Sequence, residues 1–222
     1  MKCNVVCIQT YPKMNQKEEN LSHMETLLHK AMESHPDTQL IVFPELAVTG
    51  YQCGENFKDL AETATIDSTS IKKMSALAKE FHVHIVYGMT EKEEDILYNS
   101  QFFLDDTGVL LGTYRKVHLF DSEKNYFTPG DQFKVFDTKI GRIGLFICYD
   151  AFFPEAARSL AIQGVDLFGH TRILDPLGRI LTSINDEKDG IIHASLDYDI
   201  AKQMKHDYYT MLTERHPDIY IA

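Results

Sequence analysis

No run in this chain approaches the roughly 18 apolar residues that a membrane-spanning helix needs. The first residues, Met1-Lys2-Cys3-Asn4, lead straight into a core-like strand, without the long apolar region and cleavage site of a signal peptide. Basic residues are outnumbered: 22 Lys and Arg against 33 Asp and Glu give a formal net charge of −11. That balance argues against nucleic acid and against an anionic membrane surface as partners, because both attract basic patches. Cysteine is sparse. Cys3, Cys7, Cys53 and Cys148 form no CxxC pair and show no metal-ligand spacing. With no export signal they are expected to be reduced thiols of a cytoplasmic protein, with Cys3 and Cys7 as core filler on one strand face. Also missing are a Ser/Gly/Pro-rich linker, an internal repeat and a low-complexity tract, so residues 1–222 are read as a single domain.

What is present is an alternation of short apolar runs and amphipathic stretches. Residues 2–9 predict a strand. Asn15 is placed to cap the next helix, with Glu18 in a capping-box pattern, and Leu21, Met24, Leu28, Ala31 and Met32 recur at helical spacing. Residues 39–43 predict a strand stopped by Pro44. A second amphipathic helix opens at Ser68 or Thr69, with Ile71, Met74, Leu77, Ala78 and Phe81 on its buried stripe. Strands follow at 83–89, 96–104 and 109–114, the last two joined at Asp105-Asp106-Thr107-Gly108. A hairpin over 133–137 and 141–147, a helix over 154–163, and strands at 165–168, 170–174, 179–184 and 190–197 complete the series, with Asp175-Pro176-Leu177-Gly178 as a turn and a short helix in the tail. Strand, helix, strand and then hairpins among helices indicates an α/β fold, and weak polar alternation indicates sheets covered on both faces.

Three polar residues stand at the ends of apolar strands: Glu45, Lys116 and Cys148. Cys148 lies between the run Ile143–Ile147 and the helix start at Pro154-Glu155, where an enzyme can hold a nucleophile rigid and reachable. A thiol nucleophile needs a base for its proton and a cation or donors for the oxyanion. Glu, Lys and Cys supply those roles. Each also has an ordinary reading: a solvated strand-end Glu, a surface basic pair at Arg115-Lys116, a buried core thiol. His118 invites a Cys–His pair, which requires a contact that sequence does not supply.

The motifs Phe43-Pro44-Glu45-Leu46 with Thr49-Gly50-Tyr51, Tyr114-Arg115-Lys116-Val117-His118-Leu119, and Gly144-Leu145-Phe146-Ile147-Cys148-Tyr149-Asp150 with Pro154-Glu155 and Arg158 follow in order. Tyr98-Asn99-Ser100, Phe127-Thr128-Pro129-Gly130-Asp131 and Asp175-Pro176-Leu177-Gly178 support them. Together they resemble the nitrilase superfamily of carbon–nitrogen hydrolases along nearly the whole chain. The resemblance implies an α-β-β-α four-layer sandwich whose protomers pair into homodimers or higher homo-oligomers. It implies Glu45 as general base and acid, Lys116 as oxyanion stabiliser, Cys148 as nucleophile and the Tyr149 backbone N–H as second oxyanion donor. Glu123 matches a second glutamate that orients the lysine and helps position substrate. The implied substrate is a small-molecule amide, cleaved through a cysteine thioester with release of ammonia, and no metal or organic cofactor is implied.

One departure stands out. Members of the superfamily usually carry about 40 residues between the segments matching Val165-Asp166-Leu167 and Gly169-His170-Thr171-Arg172-Ile173, whereas here the flanks are joined directly, so a segment near 168–170 is missing. A truly shortened protein and a sequence from which that segment has been left out are both open. Three function classes follow. The first is an amidase on a small aliphatic or ω-amide. The second is a related N-carbamoyl-amide hydrolase or nitrilase. The third is a non-catalytic shortened paralogue acting as a binding or scaffold protein. Selective alkylation of Cys148 ahead of the other three thiols distinguishes an active site, because access and nearby positive charge promote the thiolate.

Overall fold

The chain is described by a computed structural model over residues 2–165, 172–174, 179–184, 188–200 and 203. In chain order the elements are β1 Lys2–Gln9, α1 Lys17–Ser34, β2 Leu40–Val42, α2 Phe57–Leu60, α3 Thr69–Phe81, β3 His84–Glu93, β4 Ile96–Leu104 and β5 Leu110–Arg115. Then come β6 Val135–Thr138, β7 Gly141–Gly144, α4 Pro154–Ile162, β8 Arg172–Leu174, β9 Ile180–Ser183 and β10 Gly190–Asp197. Six strands form the principal sheet in the order β10-β1-β2-β3-β4-β5. β1, β2 and β3 run parallel, joined by crossovers that carry α1 and α3, while β10, β4 and β5 pair antiparallel.

The sheet is covered on both faces, as its unbroken apolar runs require. One face packs on α1 and α3: Leu21, Met24 and Leu28 meet Ile71, Met74 and Leu77 over Ile85, Tyr87 and Phe102. The other face packs on the hairpins β6-β7 and β8-β9. Cys3, Cys7, Val86 and Phe103 share a core with Phe136, Ile143 and Ile173, and the Phe103 and Phe136 rings meet edge-on with centroids 5.2 Å apart. α4 lies outside β7, so close that a Cβ at Gly144 would come within 2.9 Å of Leu160. The layers therefore run helix, sheet, hairpin layer, helix: the α-β-β-α arrangement.

Some sequence expectations change in detail. Asn15 does not cap α1. It has φ 64, the N-cap position is Gln16, and no side chain bonds the free N–H groups there. Asn20, inside the helix, ties the approach instead, accepting from Lys13 N at 2.8 Å and donating to Lys13 O at 2.7 Å. At α3, Ser68 holds the N-cap position but Glu62 supplies the acceptor, taking Ser70 N–H at 2.9 Å. β7 ends at Gly144, so Leu145–Ile147 run extended beyond the hairpin, and a 3-10 turn, Cys148–Phe152, precedes α4. The join at 166–170, the turn at 175–178 and nearly all of the tail beyond 200 lie outside the described residues.

The pleat carries the site. Alternation sends Asn99, Gln101 and Phe103 of β4 toward the hairpin layer, in register with Gly88 and Val86 of β3 and with Tyr114 of β5. Lys116 continues that face one residue past β5, its N–H bonded to Asn99 O at 2.9 Å.

Candidate active site

Three chain segments converge at one end of this face. The first is Pro44–Leu46, just past β2. It can lie against β3 only because residue 88 has no side chain: a Cβ there would stand 2.6 Å from Pro44 O and 2.8 Å from Glu45 Cα. The second is Lys116 with the short 3-10 turn Asp121–Asn125 that holds Glu123. The third is the 3-10 turn that begins at Cys148. Backbone strain accompanies all three. Leu46, Asp121 and Cys148 have φ of 48, 44 and 44°, in the left-handed region that residues with a Cβ seldom occupy.

Lys116 is 0% exposed. Its Nζ donates to Glu45 Oε1 at 2.7 Å and to both oxygens of Glu123 at 2.9 and 2.8 Å. Asn99 Nδ2 binds the same two carboxylates, Glu45 Oε1 at 2.6 Å and Glu123 Oε1 at 2.9 Å. The Phe120 N–H reaches Glu123 Oε2 at 2.6 Å. Cys148 is exposed, in contrast to buried Cys3, Cys7 and Cys53, and its thiol lies within the electrostatic reach of Glu45, Lys116 and Glu123.

The two glutamates are driven apart in acidity. Burial raises Glu45 above its usual range, against the pull of Lys116. At Glu123 burial works in the same direction but is outweighed by Lys116 and the Phe120 N–H, so its carboxyl is held low. Glu45 is thus the carboxylate suited to accept a proton, and Glu123 the one that stays charged. Lys116 follows the same logic. Burial disfavours its charge, but Glu45 and Glu123 outweigh it and raise its pKa, so it remains an ammonium. Cys148 departs from the expected acidic thiol. Burial, then the charge of Glu45, push it up to about 11, because the nearby cation is already neutralised by two carboxylates.

Asp150 fixes the Cys148 turn. Fully buried, it accepts from Ile147 N at 3.0 Å, Tyr114 Oη at 2.7 Å and His118 N at 2.8 Å, with His118 Nδ1 also at 2.8 Å. The His118 ring is stacked on Phe153, centroids 3.7 Å apart. His118 is therefore a brace between the lysine loop and the cysteine turn. Tyr149 follows the thiol at the start of the 3-10 turn, where first-turn N–H groups have no partner within the helix. Its ring packs against Phe120 and Phe153.

Glu45, Lys116, Glu123, Cys148 and Tyr149 thus come together. Two neighbours received no role from sequence: Asn99, and Tyr51, whose phenol is pushed up in pKa by burial and then by the nearby charges of Glu123 and Glu45. Both belong to motifs noted above, Tyr98-Asn99-Ser100 and Thr49-Gly50-Tyr51, but motif position does not say what a side chain touches.

The carbon–nitrogen hydrolase family matches residues 4–168. The chain belongs to that family, within the nitrilase superfamily. A protein of Schizosaccharomyces pombe named as a probable nitrilase is 38% identical over 99% of this chain and 98% of its own length. That alignment runs over 267 positions against the 222 residues here, so this hydrolase relative has residues with no counterpart in the chain. The omega-amidase NIT3 of Saccharomyces cerevisiae is 26% identical over 99% of the chain and 95% of its own. Among solved structures, a carbon–nitrogen hydrolase from Helicobacter pylori G27 superposes with a TM-score of 0.86 at 25% identity, covering 99% of this chain and 97% of that one. The fold is that of the nitrilase superfamily. Among the described residues no group of His, Cys, Asp and Glu could hold a metal ion, and no helix is long and apolar enough to cross a membrane.

Proposed function

We propose that this carbon–nitrogen hydrolase cleaves a small amide through a thioester on Cys148. The observation that carries the reading is the buried Lys116 ammonium held between Glu45 and Glu123, beside the exposed Cys148 thiol whose acidity all three perturb. Cys148 attacks the amide carbonyl while Glu45 takes the thiol proton. Lys116 and the Tyr149 N–H stabilise the oxyanion. Glu45 returns the proton to the leaving nitrogen and ammonia departs. Glu45 then activates water, which hydrolyses the thioester to the carboxylate and frees the thiol. Over one cycle an amide and a water become a carboxylic acid and ammonia. Glu123 and Asn99 act as positioning residues for Lys116 and Glu45.

Cytoplasmic placement and assembly as a homodimer complete this reading. Phe152, 77% exposed beside the site, and exposed Ile162 on α4 offer apolar surface for a second copy.

Ammonia release from a panel of amides, carbamoyl compounds and nitriles tests the activity and separates the three chemistries that share this machinery. Cys148→Ala should abolish turnover without unfolding the chain. Glu45→Gln and Lys116→Ala should each slow the chemical step at least ~100-fold, the scale of one lost proton-transfer or oxyanion group. Turnover retained by Cys148→Ala would end the thioester mechanism.

A further inference from the structure

The strand pair that carries Asn99 and Lys116 has a second charge cluster on its reverse face. Glu91 of β3 is 2% exposed and lies opposite Tyr98 of β4, while Ser100 of β4 lies opposite Arg115 of β5. Arg115 holds Glu91 by two bonds, Nη2 to Oε1 at 2.6 Å and Nε to Oε2 at 3.2 Å. Ser100 Oγ donates to Glu91 Oε2 at 2.6 Å, and the Arg115 guanidinium lies 3.8 Å from the centre of the Tyr98 ring. Arg115 Nη1 also reaches exposed Glu93 at 3.1 Å. A buried ion pair seldom adds stability over apolar side chains of the same size, so its strength does not explain its presence. The two-point contact of a planar guanidinium does fix an orientation closely.

The residues tied down there neighbour the two that hold the carboxylates of the site. Arg115 precedes Lys116, and Tyr98 and Ser100 stand on either side of Asn99. Because strand side chains alternate, the cluster and the site lie on opposite faces of the same backbone. Lys116 is held on both sides of its own backbone, its N–H bonded to Asn99 O at 2.9 Å and its O accepting from Gly130 N at 2.8 Å. Gly130 packs so tightly that a Cβ there would stand 2.3 Å from Arg115 O. Resting on the role proposed above for Lys116, we propose that Arg115 and Glu91 are positioning residues: their ion pair sets where the end of β5 lies against β4, and so where Lys116 and Asn99 meet Glu45 and Glu123.

Steady-state hydrolysis of p-nitrophenyl acetate, an activated ester that acylates a competent thiol, tests this without knowledge of the natural amide. Arg115→Lys keeps the charge but not the two-point contact. It should lower kcat about tenfold, the scale of a small misplacement, with KM within about twofold of wild type. Glu91→Gln, which keeps the shape and removes the charge, should do the same. The double variant Glu91→Leu with Arg115→Met replaces the pair by apolar side chains, so Tm should return to within a few degrees of wild type while kcat stays low. A purely structural pair requires the opposite, kcat returning with Tm. Wild-type kcat in either single variant, or in the folded double variant, overturns the inference. So does failure of all three variants to fold, which would make the pair a folding element. Wild-type turnover that these variants leave unchanged removes this inference alone. If wild type shows no turnover that Cys148→Ala abolishes, the thioester reading falls and this inference falls with it.

Discussion

At the scale of single residues, the thiol and the carboxylate near it are coupled through charge. Burial and the charge of Glu45 push Cys148 up to about 11, so near neutral pH the resting site holds a thiol rather than a thiolate. Glu45→Gln should therefore have opposite effects on two rates. Turnover should fall at least ~100-fold for want of the base, while alkylation of Cys148 by iodoacetamide at pH 7.5 should speed up, because the charge that suppresses the thiolate is gone. Mass-mapped labelling beside an ammonia assay reads both, and labelling slowed in step with turnover would contradict the assigned roles. Selectivity over Cys3, Cys7 and Cys53 then comes from exposure, not from an acidic thiol. A second expectation concerns pH and stability. Glu123 is held below its unfolded pKa once Lys116 and the Phe120 N–H have outweighed burial. Its contribution is present above the unfolded carboxyl value of about 4.3 and is lost as pH falls through the lower folded value. Tm measured from pH 7 downward should fall more steeply in wild type than in Glu123→Gln, and parallel curves would remove the linkage.

At the scale of elements, the strands and the two long helices were legible because their apolar spacing is the spacing of burial. Leu21, Met24, Leu28, Ile71, Met74 and Leu77 are all buried where periodicity puts them. Ends were less legible. A cap is decided by one backbone angle and one acceptor, and Asn15, at φ 64, turns the chain rather than capping α1. The 3-10 turn at Cys148 was hidden for a similar reason: Asp150 folds it by reaching back to Ile147 N–H and across to Tyr114 and His118. Glu45, Lys116 and Cys148 were readable as strand-end polar residues and through family motifs. Asn99 and Tyr51 were not, because strand pairing brings Asn99 to the site and the fold of the loop beyond β2 brings Tyr51 there. Gly88 shows how an element can control a distant side chain. Gly88→Ala would set a methyl group 2.8 Å from Glu45 Cα and 2.5 Å from Leu46 N. The segment must shift, with a stability cost of about 1–3 kcal/mol and a fall in kcat of about tenfold or more, given how strongly rate depends on placement. Urea titration and steady-state kinetics check the two parts, and wild-type kcat would show that the Glu45 segment tolerates displacement.

At the scale of the whole molecule, relatives aligned along nearly all of this chain carry residues that it lacks. The direct join expected near 168–170 falls outside the described residues. Flanking elements present exposed apolar side chains: Phe152 before α4, Ile162 at its end, Ile180 and Leu181 on β9. A second copy of the chain is the proposed cover. Light scattering on the eluted protein should then give twice the 25.4 kDa of one chain, and a monodisperse species at the mass of one chain would remove the dimer from the proposal.

The sealed position of Lys116 has a consequence for how the molecule meets its surroundings. Ammonium, two carboxylates and thiol together carry one negative charge, and moving the thiol proton to Glu45 leaves that sum unchanged. Dissolved ions screen charges through water over about 8–10 Å, but they cannot reach a lysine with no exposed surface. In the proposed mechanism the site thus brings its own counter-ion, an internal electrolyte whose composition was fixed when the chain folded.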